Sequence, residues 1–106
     1  MSFQVKVHPR AEEDVDVILT WLSQRSHEGA MHWYESWLGI LQKLKSSAIQ
    51  CELAPESEHH QRDVRQAMFK TRKGRKYRVL FTIQDQTAII LHVRGPGQDL
   101  LDPDDL

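Results

Sequence analysis

The chain holds a single cysteine, Cys51. No disulfide can form within it, and nothing in its composition points to an oxidising compartment. No apolar run approaches the ~20 residues that a membrane-spanning helix needs. The opening stretch, MSFQVKVHPRAEED, lacks the basic start and apolar core of a secretory signal, so a cytoplasmic protein with no membrane partner is expected. The five glycines form no phosphate-cradling loop, and no nucleophile motif of the G-x-S-x-G kind occurs. Cys51, Glu56, Glu58, His59 and His60 sit close in sequence, but their spacing fits no zinc pattern, so neither metal nor cofactor is expected. No repeat and no low-complexity stretch interrupts the 106 residues. They make one domain, 1–98, followed by an acidic tail, 99–106.

What the chain does have is an uneven distribution of charge. The formal net charge is -1, yet the tail alone carries Asp99, Asp102, Asp104 and Asp105, and without those four acids the balance becomes +3. Between Arg62 and Arg78 lie eight basic residues (Arg62, Arg65, Lys70, Arg72, Lys73, Arg75, Lys76, Arg78) and one acid, Asp63. A neutral average therefore does not argue against an anionic partner such as a nucleic acid.

The hydrophobic pattern organises the rest. Phe3, Val5 and Val7 alternate with polar residues and predict a short strand. Pro9 suits a first helical turn, and Glu12, Glu13 and Asp14 suit the positive end of a helix dipole. Ala11, Val15, Ile18 and Leu22 then recur at helical spacing up to about Arg25. Ser26–Gly29 reads as a break. A second helix from about Gly29 to Ile49 carries Ala30, Trp33, Tyr34, Trp37, Leu38, Leu41, Leu44 and Ile49 on one stripe, with Gly39 suggesting close packing at its middle. The short break implies a helical hairpin. Cys51–Asp63 is polar, contains Pro55 and reads as a surface loop. Val64–Thr71, Tyr77–Ile83 and Thr87–Val93 read as strands. The expected architecture is α+β, in the order β-α-α-β-β-β, an antiparallel sheet with the helical hairpin on one face.

Register follows from the apolar sets. Tyr77, Val79, Phe81 and Ile83 share one side of their strand, and Thr87, Ile89, Leu91 and Val93 share one side of the next. A three-residue turn, Gln84–Gln86, brings the two sets to one face. Arg78 then lies opposite His92, and a five-residue turn, Arg72–Lys76, puts Lys70 beside Arg78. The outer face is expected to gather Lys70, Arg78, His92 and Arg94. Guanidinium groups can clamp a phosphate and stabilise charge developing on it, and a histidine can move the proton of an attacking 2′-hydroxyl. The same charges also suit a merely solvated sheet face. Arg72, Lys73, Arg75 and Lys76 supply sequence-independent phosphate contacts or, equally, a charged turn that blocks edge pairing.

The segments HPRAEEDVDVILTWL, WYESWLGILQKL, YRVLFTI and IILHVRGPGQDLL, in this order and at this length, resemble the RelE/ParE superfamily of toxins. These are the toxin halves of bacterial type II toxin–antitoxin systems, often labelled plasmid stabilisation proteins. The resemblance covers roughly Phe3 to Leu101. It implies a cognate antitoxin as partner, and either the ribosome with its mRNA or DNA gyrase as target. In the RelE-like branch it implies a metal-independent endoribonuclease with Arg78 and Lys70 as catalytic candidates and Arg72 holding the strand; His92, on the outer face by register, is the candidate acid or base in place of the family's histidine. In the ParE-like branch it implies gyrase inhibition without chemistry. An inactive relative that only binds its antitoxin is a third alternative. A homodimer or a toxin–antitoxin hetero-oligomer fits any of these. The family's His-x-x-Arg after the last strand falls here on Gly95 and Gln98, a departure that bears on cleavage. The acidic tail suits a plain disordered end or, alternatively, a segment folded over the basic face in place of phosphate.

Overall fold

In the computed structural model, residues 2–59, 62–71 and 75–96 are described, the His59 side chain excepted. Arg72, Lys73, the His60 half of the histidine pair, Gln98 and the acidic tail lie outside them. The elements are β1 (Gln4–Val7), α1 (Pro9–Ser23), α2 (His27–Ser47), β2 (Arg65–Lys70), β3 (Lys76–Gln84) and β4 (Thr87–Arg94). Two short 3-10 helices, Ala48–Gln50 and Pro55–His59, lie between α2 and β2.

Each helix starts where its chemistry allows. The His8 side chain accepts from the Arg10 amide at 3.1 Å, and Pro9 needs no donor in the first turn. Ser26, read from sequence as part of a break, is instead the cap of α2, its hydroxyl accepting from the Gly29 amide at 3.0 Å. The two helices form the expected hairpin and pack on one face of the sheet. Ala11 and Val15 of α1, and Trp33, Trp37, Ile40 and Leu44 of α2, are buried against Ala67, Tyr77, Val79, Phe81, Ala88, Ile90 and Val93 of the strands. Tyr34 and Leu38, placed on the same stripe by sequence, are substantially exposed, as is Ile49 beyond the helix. Ile40 takes a core place instead.

Gly39 lies at an exposed position of α2, and a Cβ built there meets nothing within 4 Å. The close packing suggested by this glycine is absent. Gly39→Ala is therefore expected to stabilise the protein by about 0.5–1 kcal/mol, the ordinary helix-propensity difference, measured as a shift in the urea midpoint.

The sheet order is β1-β4-β3-β2. It is mixed rather than antiparallel throughout. β2–β3 and β3–β4 are antiparallel, while β1 pairs with β4 in parallel, Gln4 beside Thr87 and Val7 beside Ile90. The two hairpins occupy both edges of β3, so β1 takes the free edge of β4, and alternation in a strand carries no signal of direction.

The β3–β4 turn also departs from expectation. Gln84 pairs with Thr87, leaving only Asp85 and Gln86 in the turn, with Asp85 at φ 57°. Aspartate tolerates this left-handed conformation better than most residues. The shorter turn flips the start of β4, so that Ala88 and Ile90 face the helices instead of Thr87 and Ile89. A bulge then restores the original sense. Leu80 pairs with His92 and Phe81 with Ile90, leaving Leu91 as the extra residue, and Val93 returns to the core.

Candidate functional site

The outer face of the sheet is set by this register. Arg78 pairs with Arg94, not with His92, and on its other side with Met68. Lys70 pairs with Lys76, two residues along, so the turn runs 71–75 rather than Arg72–Lys76. Directly paired residues share a face. Lys70, Lys76, Arg78 and Arg94 therefore lie together, although through pairings other than those expected. Lys70 and Lys76 are exposed; Arg78 and Arg94 are partly buried. Arg75 is exposed in the turn that joins β2 to β3. His92 is 9% exposed, beside the bulge.

This face is not bare. The described residues of the segment read as a surface loop, 51–59 and 62–63, lie against it. Ala54, Val64 and Leu80 form a second buried cluster, with Leu91 packed on it. The backbone of Ala54 donates to Val64 and that of Gln66 to Glu52, at 2.8 and 3.0 Å. The Ser57 hydroxyl accepts from the Val64 amide at 2.9 Å, and the Thr82 hydroxyl donates to the Asp63 carbonyl at 3.0 Å. Arg65 reaches back to the Cys51 carbonyl, tying the segment to the end of α2.

At the centre of this cover is Glu56. Its side chain is fully buried, and both carboxylate oxygens accept from Arg78, at 3.1 and 2.7 Å. Arg78 also donates to the Gln66 side-chain oxygen at 3.0 Å, and Gln66 in turn donates to Glu52 at 2.8 Å. The arginine singled out as a phosphate clamp thus already holds a carboxylate in two-point geometry. Its side chain is 18% exposed.

His92 is held in a parallel way. Its Nδ1 lies 3.2 Å from Asp14 Oδ2, and the same oxygen accepts from the Val93 amide at 2.9 Å. β1 ends at Val7, opposite Ile90, so the last residues of β4 have no neighbouring strand on that side. Asp14, from the second turn of α1, takes the place of a strand carbonyl there. It also orients the imidazole, since a partner on one ring nitrogen fixes the role of the other.

Sequence reasoning missed Glu56, Gln66 and Asp14. Glu56 sits in a segment with no periodicity, where only the apolar pair Leu53-Ala54 ahead of Pro55 hinted at burial. Asp14 reads as a helix-dipole acid and does a different task. Tyr77 offers no base, since burial pushes its phenol above the ordinary range. Burial likewise raises the Cys51 thiol, with Arg65 and Lys43 opposing. Among the described residues, no three His, Cys, Asp or Glu side chains gather as metal ligands.

No family model matches the chain, and no curated protein matches it. A solved structure does. The chain is similar to E. coli toxin RelE, solved in the free state as an arginine-to-alanine double mutant, with a TM-score of 0.55 and 12% identity. The match covers 89% of this chain and 83% of that one. The chain has the RelE fold. The resemblance seen in the sequence segments is borne out at the level of fold. Among the described residues, no helix of this RelE-like domain is long and apolar enough to cross a membrane.

Proposed function

We propose that the protein is the toxin half of a type II toxin–antitoxin pair of the RelE/ParE kind, cytoplasmic, restrained by a cognate antitoxin and directed at mRNA on the ribosome. The observation that carries this reading is the basic outer face, Lys70, Lys76, Arg78 and Arg94 gathered on one side of a RelE-like sheet. Lys70, Lys76 and Arg94, with Arg72, Lys73 and Arg75 along the β2–β3 turn, hold the strand by its phosphates. Arg78 stabilises the charge that develops on the reacting phosphate. His92, oriented by Asp14, takes the proton of the attacking 2′-hydroxyl. The P–O5′ bond breaks, and solvent protonates the leaving oxygen.

One observation favours a second reading. The Glu56–Arg78 pair occupies the arginine that the chemistry needs. A toxin that binds gyrase without chemistry, or a relative that only binds antitoxin, has no need to release it.

The deciding experiment is mRNA cleavage on programmed ribosomes. Wild type is expected to cleave, and Arg78→Lys, which keeps a cation opposite Glu56, is expected to lose about 100-fold or more of the rate. A well-folded wild type that leaves mRNA intact but blocks gyrase supercoiling would put the second reading in its place.

A further inference from the structure

At the end of the sheet that carries the β2–β3 turn, a cleft of about 360 Å³ opens between the helical hairpin and the strands. Trp21, Arg25, Glu28, Trp33, Arg75 and Tyr77 are among the residues that line it. Trp21 is a large aromatic left 42% exposed, which a solvated helix end does not require. The Arg25 guanidinium lies 3.7 Å from the centroid of its ring, and that of Arg75 lies 6.0 Å away. Trp33 is 1% exposed, and its buried indole N–H has no acceptor among the described residues. The cleft thus combines an exposed ring, two cations and an unanswered donor. Glu28 is its acid, with its carboxylate 3.4 Å from His32.

Arg75 is the residue that links the cleft to the basic outer face. Arg75 lies directly before Lys76, which pairs with Lys70. A strand held by Lys70 and Lys76 therefore runs over the end of the sheet past Arg75 and meets Trp21. We infer that this cleft is a subsite for one unpaired base of single-stranded RNA, stacked on Trp21 with its phosphate at Arg75. Stacking on an aromatic side chain beside arginine is how proteins hold unpaired bases without reading their identity. Arg25 already donates to the Trp21 carbonyl at 3.1 Å, whereas Arg75 is the cation that an anionic ligand would engage, and an apolar peptide offers it no acceptor.

The inference rests on the RNA-directed reading, and the test separates the two. The full chain is titrated against a fluorescein-labelled single-stranded octauridylate over a range of salt concentrations, reading anisotropy. Trp21→Leu is expected to weaken binding about tenfold with the salt dependence unchanged. Trp21→Phe, which keeps an aromatic face, is expected to bind within about threefold of wild type. Arg75→Ala is expected to flatten the slope of log affinity against log salt by about 0.7, one phosphate contact fewer. Wild-type and Trp21→Leu proteins with equal affinity would overturn the subsite and leave the RNA reading standing. The same equality together with weakened antitoxin binding would assign the cleft to a protein instead. A wild type that binds no octauridylate would overturn both.

Discussion

Glu56→Ala is expected to cost the fold about 3 kcal/mol, measured by urea unfolding at neutral pH. The carboxylate is fully buried and satisfies Arg78 through two hydrogen bonds. Removing it leaves a guanidinium that is mostly enclosed and short of acceptors, with Gln66 as its remaining side-chain partner among the described residues. Breaking one half of a buried pair typically costs about 3–5 kcal/mol, and the 18% exposure of Arg78 places the expectation at the lower end. Arg78→Met is expected to cost at least as much, because the carboxylate left behind has no exposure at all. The double replacement Glu56→Leu with Arg78→Met is expected to recover most of the loss, since apolar pairs of similar volume often replace buried ion pairs at little cost. A loss below about 1 kcal/mol for Glu56→Ala would show that the segment over the outer face is not seated there in solution. The result also bears on the cleavage test. An Arg78→Lys protein that fails to cut RNA would have to be shown folded before its failure counted as evidence that Arg78 acts in cleavage.

The second large effect belongs to Trp33. Its ring stacks with Trp37 at 6.2 Å between centroids and meets Phe69 and Tyr77 at 5.6 and 5.5 Å. It joins α2 to both β2 and β3. Trp33→Ala is expected to cost about 4 kcal/mol, the transfer of the ring plus the cavity it leaves. Trp33→Phe is expected to cost far less, about 1 kcal/mol, because the lost packing is offset by removal of a buried N–H with no acceptor among the described residues. Denaturant midpoints of the two variants check this, and near-UV circular dichroism reports the loss of the Trp33–Trp37 stack in both. If phenylalanine were as damaging as alanine, the indole N–H would have a partner that the fold does not reveal.

The helices and strands were legible because their patterns are local. The stripe on α1, the pair Trp33 and Trp37, and the run Tyr77, Val79, Phe81 and Ile83 each announce their faces by spacing alone. The sheet's internal register was not legible. Shortening the Gln84–Gln86 turn by one residue exchanged Ile89 for Ile90 in the core, and the extra residue Leu91 reversed the exchange. The two irregularities together shift the end of β4 by two residues along β3, which restores its face but not its pairing, so Arg94 and Arg78 share a face through a pairing other than the expected one. Direction in β1 and the partners of Arg78 and His92 depend on contacts across long separations. Glu56 meets Arg78 across 22 residues and Asp14 meets His92 across 78. No window of sequence contains both halves of such a contact.

The place of β4 in the sheet has a consequence for how the chain comes into being. It is the last of the described strands, yet it lies between β1 and β3, so the first strand must wait for the one neighbour it has among the described residues. Gln4 pairs with Thr87, 83 positions later. Contacts of such separation form late and slowly. A nascent chain still lacking β4 has no site for β1, no partner for Asp14 at the strand edge and an exposed core face on the hairpin of helices. A product that stops short of Thr87 therefore keeps Lys70, Lys76 and Arg78 but lacks Arg94, His92 and the strand that joins β1 to the rest of the sheet.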